Sequence, residues 1–346
     1  SPAGDYDFTT RFLDQDIRVL RMGCDQDVDR AEHLLSEWQH QADVIALEGM
    51  RSQQRVGAFQ FEQRLTRRLQ HASSVPVTTG TELRDILQEW LIRHVQNEQK
   101  GYFNNANVLV FSGAQHYRSA RVLSEFTDNL RFADPILQLG IPKFLTSLQS
   151  LELYSSGSHQ LLKWAPPQVL SPTLAPIPEW NHYILRKALH KANVVVAYFD
   201  ELAPFGLEEL AGKTVVTSAM SPERLQALGD RGVYTVLDYT PQAFPQTVSI
   251  AVLEAMIMAM LAKSAQNLSE DDILDIITAL ELQPRVLYPN GFKRLSRFAF
   301  VIHPLSQQYF RNAKPIDLVA KVAPQGMMNT LEKIIAYSPP FIYSKV

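Results

Sequence analysis

A serine, a histidine and an arginine follow one apolar run closely enough to share a single loop. The run Val108–Phe111 predicts a buried strand, and the next residues read SGAQHYR. Ser112 and Gly113 end the strand, and His116 and Arg118 follow within the loop. A histidine near a serine can activate its hydroxyl, and an arginine beside a glycine turn can hold an anion. A plain connecting loop explains the same residues, so both interpretations stay open.

Polar residues also stand at the ends of the other predicted strands, which read IRVLRMG, VIALEG, KTVVTS and VYTVLD. Ligands of parallel α/β sheets bind where strands end, at their carboxyl edge. We therefore expect these residues and the SGAQHYR loop to line one ligand site. They are Gly23, Asp25, Glu48, Gly49, Thr217, Ser218, Asp238 and Thr240.

The elements that must position these residues alternate between strand and helix. Within residues 193–241, the runs VVVAYF, KTVVTS and VYTVLD predict three buried strands, because continuous apolar runs are typical of sheets covered on both faces. A helix over Pro222–Leu228 precedes the third strand, with Ser221 as its N-cap. The fold class predicted is α/β, with two doubly wound parallel-sheet domains, Rossmann-like or flavodoxin-like, and an interdomain cleft.

Several further helices follow from apolar residues at helical spacing and from capping signals. Thr79-Gly80-Thr81-Glu82 resembles a capping box for a long helix over Leu83–Gln99. Other helices are expected over Val28–Gln39, Phe59–His71, Ser119–Phe126, His182–Lys191, Val248–Ala262 and Ser269–Leu280.

Five prolines between Trp164 and Trp180 separate the two predicted domains, because proline disfavours helices and central strands. The predicted organisation is a first α/β domain over residues 1–165, a proline-rich crossover over 166–180, a second α/β domain over 181–265, and a helical or extended segment over 266–346. The apolar end, IIAYSPPFIYSKV, has no terminating signal, so we expect a further C-terminal domain to follow.

Recognisable cofactor and metal motifs are missing from the sequence. Neither GxGxxG nor GxxxxGK[ST] occurs in the sequence. NAD(P) is therefore a possible cofactor for which the sequence shows no recognisable binding motif. The nine histidines are scattered without HExxH, and we predict no metal site. Cys24 has no neighbouring histidine, and a passive thiol is the favoured interpretation.

Several stretches together resemble an uncharacterised family labelled quinate or shikimate 5-dehydrogenase. They are MGCDQDVDRAEHLL, VFSG, RFADPILQLGIP, LAGKTVVTSAMSPERLQALGDRGVYTVLDYTP and TVSIAVLEAMIMAML, over most of residues 17–262. RFAFVIHPLS and AYSPPFIYSKV resemble a longer cyanobacterial-type version, in which a domain similar to the acyl-carrier-protein reductases follows. The resemblance implies an NAD(P)-dependent oxidoreductase. It points to Gly23, Asp25, Asp27, Ser112, Asp134, Pro135, Gly140, Pro142, Thr217 and Pro241, whereas Cys24 and Leu47–Gly49 depart from the family pattern.

Bulk composition excludes several classes of protein. A net charge of −3 gives no electrostatic footprint for nucleic acid or an anionic membrane. The longest apolar run, Val248–Ala262, is too short for a membrane span and contains Glu254. A single cysteine fits a reducing compartment, so we expect a cytoplasmic protein.

Three functional interpretations follow. The first is a module that binds a small, anionic metabolite in the interdomain cleft and serves or regulates a dehydrogenase-like protein. The second is an NAD(P)-dependent oxidoreductase with a diverged cofactor loop. The third is a homo-oligomeric assembly module that uses its methionine-rich helix and apolar tail.

Overall fold

The computed structural model describes residues 5–12, 15–25, 27–50, 53–62, 64–162, 179–202, 210–242, 244, 248–264 and 267–291. Described residues up to Asn290 belong to one compact unit, and of the second unit, Gly291–Val346, only Gly291 is described. The predicted strand FAFVIH, the apolar end of the chain and most of the proline-rich crossover therefore lie outside the described residues.

Eleven helices lie within the described residues. They are α1 Val28–Trp38, α2 Arg64–His71, α3 Thr81–Glu98, α4 Tyr117–Leu123, α5 Asp134–Leu139, α6 Leu148–Leu162, α7 Glu179–Lys191, α8 Phe199–Leu202, α9 Pro222–Asp230, α10 Ile250–Leu261 and α11 Glu270–Ala279. None of these helices combines the length and the apolar character that crossing a membrane requires.

Twelve strands are found in the same described residues. They are β1 Tyr6–Phe12, β2 Gln15–Arg21, β3 Ile45–Ala46, β4 Gln53–Val56, β5 Phe59–Glu62, β6 Val77–Thr78, β7 Val108–Val110, β8 Leu130–Phe132, β9 Val194–Val196, β10 Thr214–Thr217, β11 Thr235–Asp238 and β12 Arg285–Leu287.

Six strands form the main sheet, in the order β12-β11-β10-β9-β7-β8. Strands β8, β7, β9, β10 and β11 are parallel, and β12 joins β11 antiparallel at the edge. The predicted α/β fold with a mainly parallel sheet is confirmed. Strands expected in two separate sheets lie in one, because β7 from the predicted first domain pairs directly with β9 from the predicted second domain.

Helices cover both faces of this sheet. On one face, alternate strand residues such as Val110 and Val196 pack with apolar residues of α3 and α10. On the other face, neighbours such as Leu109 and Val195 pack with α5, α7 and α9. Alternate side chains of a strand point to opposite faces, so apolar runs such as Val194–Val196 supply both cores.

The N-terminal strands do not join the main sheet, which corrects the prediction of a first parallel domain. Strand β2 pairs antiparallel with β1, and β4 pairs antiparallel with β5. The residues Phe59–Glu62 are strand rather than the start of a helix, because their alternating pattern pairs across a turn at Gly57. Strands β3 and β6 form a separate parallel pair that packs against α10.

The predicted capping box at α3 is wrong. Gly80 is the N-cap, with φ 72° and no side-chain cap bond. Glu254, from the apolar helix α10, supplies the missing acceptor: its Oε2 accepts from the Leu83 amide at 2.7 Å, and its Oε1 accepts from the Thr78 hydroxyl. Serine caps are found where predicted, since Ser221 accepts from the Arg224 amide at the start of α9.

Candidate functional site

The main sheet has one point at which the chain reverses its direction of travel across the strands. From β7 the chain passes to β8 on one side, and it then returns to add β9 on the other side. The loops after β7 and β9 therefore leave the same carboxyl edge in diverging directions. In doubly wound folds such a switch point forms the crevice that receives ligands.

A buried carboxylate, Glu201 of α8, joins these two loops. The Ser112 hydroxyl donates to Glu201 Oε1, and the Tyr198 amide donates to Oε2 at 2.8 Å. Burial acts to raise the pKa of Glu201, but His116, Ser112 and the Tyr198 amide together hold the pKa below its ordinary value. Glu201 is therefore ionised, although only 9% of its surface is exposed.

His116 lies directly beside this carboxylate. Its side chain is fully buried, and its Nε2 lies 3.8 Å from Glu201 Oε2. The ring centroids of His116 and Tyr198 are 4.5 Å apart. The Glu201 carboxylate beside the ring can orient His116, so the two side chains together form a polar pair at the switch point.

Two more polar side chains extend this group along the sheet edge. Tyr239 follows β11, and its amide donates to the carbonyl of Thr217 at 3.2 Å, next to Ser218. Burial raises the pKa of Tyr239 well above its ordinary value, Tyr198 raises this pKa further, and Arg84 and Ser218 act to lower it. We call Ser112, His116, Tyr198, Glu201, Ser218 and Tyr239 the edge cluster.

Asp134 supports the loop from beneath. Its carboxylate accepts from the amides of Gly113 and Ala114 at 2.8 and 3.1 Å. Burial raises the pKa of Asp134 to about 7, although these two amides oppose the shift. A Cβ on Gly113 would lie 2.5 Å from Phe132 Cδ1, so only glycine fits. With both amides engaged, the loop has no free cradle for a pyrophosphate.

An open cleft of about 2210 Å³ borders the edge cluster. Ala114 and Gln115 line it from the loop after β7, and Asp200 lines it from α8. A second wall comes from β2 and β3, the loops that follow them, and helices α1, α2 and α10. Four of the predicted site residues lie in that wall: Gly23, Asp25, Glu48 and Gly49.

Three of the four predicted site residues in this cleft wall also have structural roles in the N-terminal part of the chain. The Gly23 amide donates to Asp5 Oδ1 at 2.6 Å, and Glu48 accepts from Arg21 at 2.7 Å. Gly49 has φ 80°, in the left-handed region that favours glycine. These contacts hold the cleft wall in place beside the switch point.

Arg118 and Thr217 do not join the edge cluster. Arg118 Nε lies 2.6 Å from Glu89 Oε2, in an ion pair between α4 and α3. Thr217 is fully buried, and its strand position places it on the opposite face of the sheet from Ser218. Its hydroxyl has no hydrogen-bond partner among the described residues.

Asp238 and Thr240 brace the loop between β10 and α9. Asp238 accepts from the Met220 amide at 3.0 Å and from Arg285 of β12. Thr240 Oγ1 accepts from the Ala219 amide at 2.8 Å. Burial raises the pKa of Asp238, against the opposing charge of Arg285. Both side chains are thus occupied by contacts that shape the sheet edge.

Sequence reasoning missed Tyr198 and Glu201. Tyr198 lies two residues after β9 and could have been suspected as a strand-end residue. Glu201, within FDEL, resembles an ordinary first-turn acid that stabilises a helix dipole. Only the folding of α8 over the loop after β7 brings it to Ser112. Within the described residues, no three His, Cys, Asp or Glu side chains are grouped to hold a metal ion.

A family model described as Domain of unknown function (DUF8754) matches residues 82–289, which is more than half of the chain. The chain belongs to this family. A second model, described as Domain of unknown function (DUF8753), matches residues 1–79. The edge cluster lies entirely within the DUF8754 region, and the cleft also takes residues from the DUF8753 region.

No curated protein matches the chain. Among solved structures, the chain is similar to GanP, a glucose-galactose binding protein from Geobacillus stearothermophilus, at 10% identity. This similarity covers 77% of this chain and 84% of that chain, with a TM-score of 0.33. A TM-score this low carries no argument about fold or ligand.

Proposed function

We propose that this DUF8754 chain binds a small molecule at the edge cluster, which the ligand reaches from the neighbouring cleft. One observation carries the proposal: the buried, ionised Glu201 is held by Ser112, Tyr198 and His116 at the switch point of the sheet. The loops that hold this carboxylate also supply Gln115 and Asp200 to the cleft.

A purely structural role accounts poorly for this arrangement. Burying a charged group costs free energy, and well-packed apolar residues often stabilise a core as well or better. Groups with perturbed pKa values are instead concentrated at functional sites. Tyr198 and Ser218 remain partly exposed, so a ligand can contact the cluster without a rearrangement of the core.

Hydrogen exchange tests the proposal. The chain is dialysed against the low-molecular-mass fraction of a cell extract, and exchange is compared with that of the untreated chain. We expect slower exchange in peptides that cover residues 112–116 and 198–202. Tyr198→Phe should remove this protection, whereas Tyr183→Phe, on an exposed surface of α7, should preserve it. Unchanged exchange at the edge cluster would contradict the proposal.

The identity of any protected ligand separates the alternative functions. A retained nicotinamide nucleotide would favour the oxidoreductase interpretation, with a binding mode other than a glycine-rich loop. Another small metabolite would favour a ligand-binding or regulatory module. Protection confined to α10 that depended on protein concentration would favour the assembly module.

A further inference from the structure

Arg84, in the first turn of α3, has an unused buried hydrogen-bond donor. Its Nη2 donates to the Thr79 carbonyl at 3.1 Å, which fixes the orientation of the guanidinium. Its Nη1 is buried and donates to no described residue. A buried donor without an acceptor costs free energy, so such a group calls for a partner.

Other partly buried arginines of the described chain have carboxylate partners. Arg285 pairs with Asp238, and Arg118 pairs with Glu89 at 2.6 Å. Arg84 takes part in none of the ion pairs found among the described residues. Its positive charge therefore lies partly out of water, and no carboxylate of the described residues lies within ion-pair distance of it.

Arg84 lies near both Tyr239 of the edge cluster and Glu254, because its neighbour Leu83 shares a core with Tyr239 and donates its amide to Glu254. Its charge acts to lower the pKa of the Tyr239 hydroxyl and the pKa of the Glu254 carboxyl. The Glu254 oxygens are already engaged by the Leu83 amide and the Thr78 hydroxyl. The guanidinium is thus available to a group that enters at the edge cluster.

We infer that Arg84 binds a carboxylate or phosphate group of the small molecule at the edge cluster, an inference that rests on the proposed function. A guanidinium donates several N–H groups in one plane, which matches the oxygens of both anions. The partly exposed Tyr198 and Ser218 lie along the same sheet edge and add polar contacts to the ligand. The ionised Glu201 farther along the edge suits hydroxyl groups of that ligand instead.

The test uses two simple anions, inorganic phosphate and acetate, on the full chain. Binding is followed through the NMR signals of the arginine Nε–H groups, and Arg84→Lys identifies the Arg84 signal. We expect one anion to shift this signal, and Arg84→Met to weaken its binding about tenfold to a hundredfold, the worth of a charged hydrogen bond. Arg231→Met, at an exposed position, is the matched control and should bind as the wild type.

The two anions identify the group of the ligand that Arg84 binds. Stronger binding of phosphate would indicate a phosphate group, and stronger binding of acetate would indicate a carboxylate. The inference is overturned if neither anion shifts the Arg84 signal. It is also overturned if Lys213→Met, in the small pocket at the opposite sheet edge, abolishes binding and Arg84→Met does not. If Arg84→Met fails to fold, the shift of the Arg84 signal in the wild-type chain decides whether Arg84 binds the anion.

Failure of this inference and failure of the proposed function give different results. A neutral molecule retained from the extract at the edge cluster would overturn the role of Arg84 and leave the proposed function intact. Anion binding at Arg84 without protection of residues 112–116 and 198–202 in the extract experiment would sustain the anion site and contradict the proposed function.

Discussion

Replacing Asp134 with asparagine should change how the stability of the protein depends on pH. Burial raises the pKa of the Asp134 carboxyl to about 7 from its ordinary 3.8. Between these values the folded chain keeps a proton that the unfolded chain has released, so the free energy of unfolding falls as pH rises. Between about pH 5 and about pH 8 the expected fall is about 3 kcal/mol, at ~1.4 kcal/mol per pH unit up to the folded pKa.

Asp134→Asn cannot ionise and should lack this contribution. Its amide nitrogen would face one of the two loop amides, which costs about 1–3 kcal/mol at every pH. We therefore expect the variant to be less stable than the wild type near pH 5, with the difference narrowing or reversing near pH 8. Urea denaturation across this range measures both curves.

Asp128→Asn, at an exposed position, controls for the loss of an aspartate and should follow the wild-type slope. The comparison of slopes removes the contributions of all other titrating groups, because these are common to both chains. A constant difference between Asp134→Asn and the wild type at every pH would refute the reasoning about this buried carboxyl.

Two further predictions concern the packing around the site. In Gly80→Ala, at φ 72°, the new Cβ would lie 2.6 Å from Ala251 Cα, so the free energy of unfolding should fall by more than ~2 kcal/mol. In Gly212→Ala, at φ 73°, the new Cβ would meet open space, so the free energy of unfolding should fall by only ~1 kcal/mol. Chemical denaturation measures both, and equal losses would contradict the close packing. Arg285→Met should destabilise by about 3–5 kcal/mol, because Asp238 stays buried without its partner. Adding Asp238→Asn should recover part of that loss, and denaturation showing no recovery would argue against the pair.

Local sequence patterns predicted the elements better than their arrangement. The apolar runs at Val108, Val194 and Thr214 are strands because their side chains are buried on both faces, a requirement visible in the sequence itself. The pairing of β7 with β9 depends on contacts between distant segments, and no local pattern specifies it. This pairing replaces two predicted sheets with one and creates the switch point.

The candidate site was predictable only in part, for a related physical reason. Ser112, His116 and Ser218 were among the predicted site residues because strand ends limit where they can lie. Glu201 was missed because its role depends on α8 crossing to the loop after β7. Asp238 also lies at a strand end and was predicted to bind a ligand, yet its carboxylate is occupied by Arg285 of β12. The sequence did not predict that β12 joins the sheet.

Native mass spectrometry of the chain exposed to the small-molecule extract tests the central claim most directly. We predict a retained small mass on the wild type and on Tyr183→Phe, and a large loss of that mass on Tyr198→Phe. The same chemical change is made in both variants, so the difference isolates the edge cluster. A wild-type chain without any bound small molecule, or equal retention by Tyr198→Phe, would contradict the claim that the edge cluster binds a ligand.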